Sequence, residues 1–390
     1  MKRILILGLL ALSVGCYKTV KYDTVIKNVG LFNGYEDQGT VYIAINSDTI
    51  AYISTEELQS DQIIDGTGKY IIPGMVNAHV HVSETEQLRQ GYPLGIMYLL
   101  NMHTGLEVRE AEWKKGYQDS TGYSILYGAG HAATVPGGHP NQYSPDMETI
   151  SDSLSIEDWL NHRIEKNVDY IKIIREHHEW MGYPPLPTLS YEQIKELIDR
   201  SHEKGYKVVV HANTAEEMMK IAEFKPDGFV HMLDYKEDLP VSDKFYNSLV
   251  ENDIFVIPTG GMSLKSMDGA PPFMIDWVAN NLLDVEERTA ILKKMYEKGV
   301  LIVAGTDAQE GQMDFGADYF LELELYQRAG LTNLDILKTA TGNAAKAFDL
   351  PIGELTVGSK ANFVLLKDSP LNDISNLKKV EQVWKNGKWK

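Results

Sequence analysis

Two histidines one residue apart, His79 and His81, close the run Ile71-Ile72-Pro73-Gly74-Met75-Val76-Asn77-Ala78. The run reads as a short buried strand, Met75 to Ala78, with both histidines at its end. Alternate side chains of an extended backbone share a face, so the two imidazoles point the same way and can grip one metal ion. Alone, the pair is equally a polar strand end facing water. Four more polar residues stand at or near the ends of apolar runs. Lys172 interrupts Asp169-Tyr170-Ile171-Lys172-Ile173-Ile174, where an unpaired ammonium is costly. A buried lysine titrates down and can take up carbon dioxide as a carbamate, an anionic oxygen ligand able to bridge two metals. The plainer alternative is a strand-end lysine paired with an acid. His211 ends Val208-Val209-Val210 and His231 ends Gly228-Phe229-Val230; each alone reads as a satisfied strand-end histidine. Asp307 ends Leu301-Ile302-Val303-Ala304-Gly305-Thr306, where a carboxylate can ligate a metal and accept a proton from water.

Such residues need strands that end on one side of a molecule. Apolar runs predict strands at 75–78, 95–101, 123–129, 169–174, 207–211, 228–231, 254–258 and 301–305. Helical patterns at 155–167, 190–204, 214–223, 241–252 and 284–298 separate most of them, and Ser190-Tyr191-Glu192-Gln193 has capping-box form. Eight strands with intervening helices predict an α/β chain built as a closed parallel (β/α)8 TIM barrel, with its chemistry at the C-terminal strand ends. The segment 131–154, rich in Gly, Pro and His, reads as an active-site loop. On it His139 can hydrogen-bond a carbonyl oxygen as negative charge develops, or simply face water; His131 is a lesser candidate of the same kind. His103, His162, His177, His178 and His202 read as surface or supporting groups. Outside the barrel, alternating runs and Asn-Gly turns (Asn33-Gly34, Asn386-Gly387) predict short strands. The predicted division is a small β-sandwich domain from 17–72 and 350–390, interrupted by a barrel over 73–349.

The chain has 390 residues and a net charge of −18, which argues against nucleic-acid binding by bulk electrostatics. Met1-Lys2-Arg3, the apolar run Ile4 to Val14 and then Gly15-Cys16 predict a secretory signal segment over 1–16. The sole cysteine stands after a small residue at the cleavage point, as in bacterial lipoproteins, although Ser13 stands where leucine is usual. Cys16 is therefore the expected lipid anchor, holding the protein on the periplasmic or outer face of a bacterial membrane. With no second cysteine, an intrachain disulfide is excluded.

Taken in order, His79-x-His81, Lys172, His211, His231 and Asp307 make the chain resemble the amidohydrolase superfamily. Gly305-Thr306-Asp307, Thr341-Gly342-Asn343-Ala344-Ala345 and the tail Gly353 to Leu366 extend the resemblance, with Asn362 where aspartate is usual. Asp169-Tyr170-Ile171-Lys172 and Gly137-Gly138-His139-Pro140 are similar to the imidazolonepropionase-related branch, which also holds prolidase-like dipeptidases. Leu99-Leu100-Asn101-Met102 departs from the usual Thr-x-Arg-Asp beside the substrate pocket. The resemblance implies two divalent cations, zinc foremost, with manganese, iron and cobalt open on ligand type. It places one on His79, His81, carbamylated Lys172 and Asp307, and the other on His211, His231 and the same carbamate. It implies hydrolysis of a small-molecule amide or a dipeptide, with Asp307 and His139 as the catalytic pair. Two rivals stay open: a one-metal cyclic-amide hydrolase of the imidazolonepropionase kind, and a non-catalytic lipoprotein that uses its barrel for binding. No arginine stands out as a clamp for a substrate carboxylate; Arg175 is placed where one could be, with a surface salt bridge the stronger reading, and oligomeric state is left open.

Overall fold

The structure is a computed structural model describing residues 21–179, 181 and 183–389. The predicted signal segment 1–16, with the anchor Cys16, and residues 17–20 lie outside the described residues. Strands open the chain: β1 (Lys21–Phe32), β2 (Asp37–Asn46), β3 (Thr49–Ser54), β4 (Gln59–Asp65) and β5 (Tyr70–Pro73). The barrel strands follow as β6 (Met75–His81), β7 (Ile96–Asn101), β8 (Ile125–Gly128), β9 (Ile171–Ile174), β10 (Val208–His211), β11 (Gly228–Val230), β12 (Phe255–Ile257) and β13 (Ala308–Gln309). The chain closes with β14 (Phe363–Leu366), β15 (Val380–Lys385) and β16 (Lys388–Trp389).

The two chain ends make one eight-stranded sheet in the order β16-β15-β14-β5-β1-β2-β3, with β4 also paired to β1. Inward-facing Ile26, Ile43, Ile71, Phe363, Leu365 and Trp384 form its core. Full burial of side chains this size is worth about 1.5–3 kcal/mol each. The β5–β14 ladder, from Pro73↔Phe363 to Tyr70↔Leu366, joins the two ends of the chain directly beside the start of β6.

Barrel strands are buried on both faces, so they read as continuous apolar runs rather than alternating ones. They form two parallel four-stranded sheets, β13-β6-β7-β8 and β12-β11-β10-β9. One seam is closed by Asp169 N–H donating to Gly128 O at 2.9 Å and by the Ala133–Ile173 bridge. The other is closed by the Val256–Ile302 bridge and Ala78 N–H donating to Ala304 O at 2.9 Å. The eighth strand expected over 301–305 is not a regular strand. The Ala304 N–H turns to Thr339 O and the Thr306 N–H to the Asn77 side chain, so a ladder forms only at β13, against Val80 and His81.

The predicted helices are Ile156–Glu165, Tyr191–Glu203, Ala215–Ala222, Asp243–Glu251 and Val285–Lys298. Ser155, Ser190, Thr214 and Asp284 each cap one through a side-chain oxygen, and Ser190–Gln193 is a complete capping box. Among the described residues no helix is long and apolar enough to cross a membrane.

Candidate metal centre

β6 runs through both histidines, so the alternation argument applies directly to His79 and His81. Their Nε2 atoms lie 3.2 Å apart, and Asp307 Oδ1 lies 3.2 Å from the first and 3.0 Å from the second. The three side chains each offer a ligand atom, all within 4.8 Å of one another. The His81 Nδ1 faces His103 O at 3.2 Å, so its N–H donates there and the Nε2 lone pair is left for a metal. Asp307 is held by its own turn. Its N–H donates to His79 O at 2.9 Å, and Asn77 bonds both the N–H and the hydroxyl of Thr306.

The other histidines close around this group. The His231 ring lies 5.0 Å from that of His79 and 4.7 Å from that of His211. His231 Nδ1 meets Thr259 Oγ1 at 2.6 Å, and His211 Nε2 meets Glu176 Oε2 at 3.0 Å. His231, Thr259 and Asp307 all have positive φ, at 61°, 51° and 61°. Non-glycine residues in that region each carry a strain of about 1–3 kcal/mol, which persists only where the surroundings enforce it. Lys172 is fully buried on β9 and lines the same cavity, and its Nζ has no hydrogen-bond partner among the described residues.

Burial dominates the titration of these groups. It drives the Lys172 ammonium down to about 7, against the pull of Asp307. It drives His79 down to about 3, with Asp307 opposing. Burial alone would raise the Asp307 carboxyl, but His79 and His81 hold it well below the usual carboxylate range. The result is neutral imidazoles at His79 and His231, an ionised carboxylate and an amine readily deprotonated near neutrality. Two nitrogen donors, one carboxylate and an orphaned buried amine fit a borderline divalent cation.

His139 lies beside His211, with ring centroids 5.7 Å apart, and lines the cavity. The Gln142 amide is 2.8 Å from its Nδ1, which places the ring proton on Nε2. Burial brings its pKa down to about 4. His131 is turned away: its Nδ1 accepts from Glu148 N–H at 3.1 Å, and it does not line the cavity. Of the histidines read as supporting groups, His103 does line the cavity, and burial holds it well below its ordinary value. His162, His178 and His202 instead pair with Glu148, Glu237 and Asp227, and His177 faces Leu186 O.

Arg175 is not a substrate clamp. Its Nε is 2.7 Å from Glu217, its Nη1 donates to Leu189 O, and its guanidinium stacks 4.2 Å over the Tyr191 ring. Sequence reasoning also missed Asn77, Glu176 and Thr259, which hold the turn or rings of the central residues. The one available signal was their place, each within a few residues of an apolar strand end.

The cavity has a volume of about 780 Å³. Ser83, Leu106, Tyr143, Met147 and Glu310 are among its outer walls. Residues 70–390 match the model of the amidohydrolase family. The chain is 23% identical over 389 residues to a 5-methylthioadenosine/S-adenosylhomocysteine deaminase of Thermoanaerobacter pseudethanolicus, covering 88% of this chain and 85% of that protein. It is 25% identical over 365 residues to an imidazolonepropionase of Treponema denticola, covering 85% of each. Among solved structures it is similar to a Xaa-Pro dipeptidase with bound methionine, with a TM-score of 0.78 and 20% identity over 94% of this chain and 99% of that one. The chain belongs to the amidohydrolase family, metal-dependent enzymes whose fold is a TIM barrel with a β-sandwich domain. It is a hydrolase acting on carbon–nitrogen bonds.

Proposed function

We propose that this protein hydrolyses the amide bond of a dipeptide-sized substrate, using two divalent cations bridged by carbamylated Lys172. The observation that carries this reading is the Lys172 amine, buried beside His79, His211, His231 and Asp307 with no hydrogen-bond partner among the described residues. A neutral amine there can take up carbon dioxide, and the carbamate would share its oxygens between His79, His81 and Asp307 on one side and His211 and His231 on the other. When bound, the cations make a water acidic enough to attack and polarise the carbonyl under attack. Asp307 takes the proton of that water and delivers it to the leaving nitrogen. His139, protonated on Nε2, hydrogen-bonds the carbonyl oxygen as its charge grows. The dipeptide reading is supported by a cavity of about 780 Å³ and by the likeness in fold to a Xaa-Pro dipeptidase.

A second reading has a specific observation behind it. His79, His81 and Asp307 already form a three-ligand group, while His211 Nε2 is engaged by Glu176. A single cation on the first group would suit a cyclic amide, as in imidazolonepropionases. The N-terminal run through Cys16 supports an exported, lipid-anchored enzyme, where peptide fragments are at hand. Assay of the metal-loaded protein against matched panels of dipeptides and cyclic amides tests the choice. Dipeptide turnover is expected; turnover of cyclic amides alone would overturn the two-metal reading.

A further inference from the structure

Helix Tyr319–Arg328 packs behind the turn Gly260–Leu264 and aims one carboxylate at it. That group, Glu322, is fully buried, and no cationic side chain pairs with it among the described residues. Its Oε2 accepts the Gly261 N–H at 2.5 Å. A Cβ on Gly261 would lie 2.5 Å from the Glu322 backbone nitrogen and 2.7 Å from its Cα, so only glycine lets the turn approach the helix. Burial pushes the Glu322 carboxyl up to about 7, although the Gly261 and Gly260 N–H groups and the Tyr326 hydroxyl draw it back. An apolar side chain of this size would avoid that cost. What it could not do is accept the Gly261 N–H of the turn.

The turn matters because of what precedes it. Thr259, at positive φ, is its first flanking residue, and its hydroxyl holds His231 Nδ1 at 2.6 Å. Met232 N–H donates to Pro258 O at 3.1 Å, so the segments after β11 and β12 are tied at the same point. A continuous path therefore runs from the Glu322 carboxylate to the Gly260–Gly261 turn, the Thr259 hydroxyl and the His231 ring. We propose that Glu322 is a positioning residue for His231: it fixes the turn so that the Thr259 hydroxyl bonds Nδ1, which holds the ring in one orientation and one tautomer with Nε2 toward the cavity. The metal-binding consequence rests on the reading of His231 as a ligand; the ring's tautomer does not.

The test is therefore read first in the chelator-treated protein, by nitrogen NMR of labelled histidine, with His231→Asn to assign the signal. The native chain and Glu322→Gln, which keeps an acceptor, are expected to show a single tautomer of His231. Glu322→Leu, or Glu322→Met should the first not fold, is expected to show a tautomer mixture, as is Thr259→Val. In Glu322→Leu/Thr259→Val the effect should be no larger than in either single variant, because both act through one hydroxyl. An unaltered His231 signal in the apolar Glu322 variant overturns the proposal, as does additive behaviour in the double variant. Zinc titration of the same proteins then separates the two claims. Loss of at least about tenfold in affinity for the second ion is expected in Glu322→Leu, as changes to the groups that orient a metal-binding histidine commonly cause. A native chain that binds no second ion refutes the two-metal reading while leaving the tautomer result standing.

Discussion

In the proposed reaction Asp307 has two duties, as a metal ligand and as the group that moves the proton. Its place in a left-handed turn against His79 O leaves the side chain little freedom. Asp307→Asn keeps the shape but cannot accept the proton. It is expected to lower kcat by about 10²-fold or more while the melting temperature stays within a few degrees. Activity above roughly a tenth of the native value would refute the proton-transfer role. At this scale the sequence was most readable. His79, His81, Lys172, His211, His231 and Asp307 all line one cavity, because each stood at or near a recognisable strand end. Arg175 forms the ion pair favoured over a clamp, with Glu217, while Leu189 and Tyr191, like Glu217 brought in by later segments, occupy the rest of its guanidinium.

At the scale of elements, buried charge holds the loop after β8 over the site. Arg163, fully buried on helix Ile156–Glu165, reaches Glu107 at 2.8 Å and also pairs with Glu148. Glu107 accepts the His131 N–H and Glu148 N–H donates to His131, so both ends of the loop carrying His139 are pinned. Arg163→Met leaves Glu107 buried without its partner and is expected to cost about 3–5 kcal/mol in urea unfolding. A loss below about 1 kcal/mol would show that the loop is held by other contacts. Glu110, on helix Glu107–Tyr117, sits against Gly128, where a Cβ would strike its carboxyl, and bonds Asn101 and the Gly130 N–H. Burial raises its pKa to about 7. The folded chain then keeps this proton where the unfolded chain has lost it, so the associated stability is full below pH 4.5 and falls as pH rises through 7. Melting curves of Glu110→Gln should gain on the native protein between pH 5 and 8; parallel curves would mean Glu110 is ionised in the fold. Helix Glu107–Tyr117 was missed in the sequence because it buries only Glu110 and Trp113, too few to mark an apolar face. The eighth strand was over-read because an apolar run fixes burial but not where its N–H groups go. Asn77 and Thr339 decide that, and both are remote in sequence.

For the whole molecule, the sheet built from both chain ends and the barrel were legible in pattern, since parallel strands and hairpins differ in apolar period. The charge of the cavity was not, because it depends on which side chains from separate loops meet. Asp146 and Glu310 line its outer part, and Lys172 is the sole lysine or arginine among its described lining residues. A dipeptide with its C-terminus amidated should therefore be hydrolysed with kcat/KM no lower than the free acid. A preference of tenfold or more for the free acid would mean a carboxylate site exists that this cavity does not display.

A bridged pair of metals on Lys172 is tested by metal content per chain, measured on protein purified without chelator and with bicarbonate present. About two divalent ions per native chain are expected, falling when Lys172 is changed to Ala, because the bridging carbamate is then lost. About one ion per chain, unchanged in Lys172→Ala, would contradict it and leave His79, His81 and Asp307 as a one-metal site.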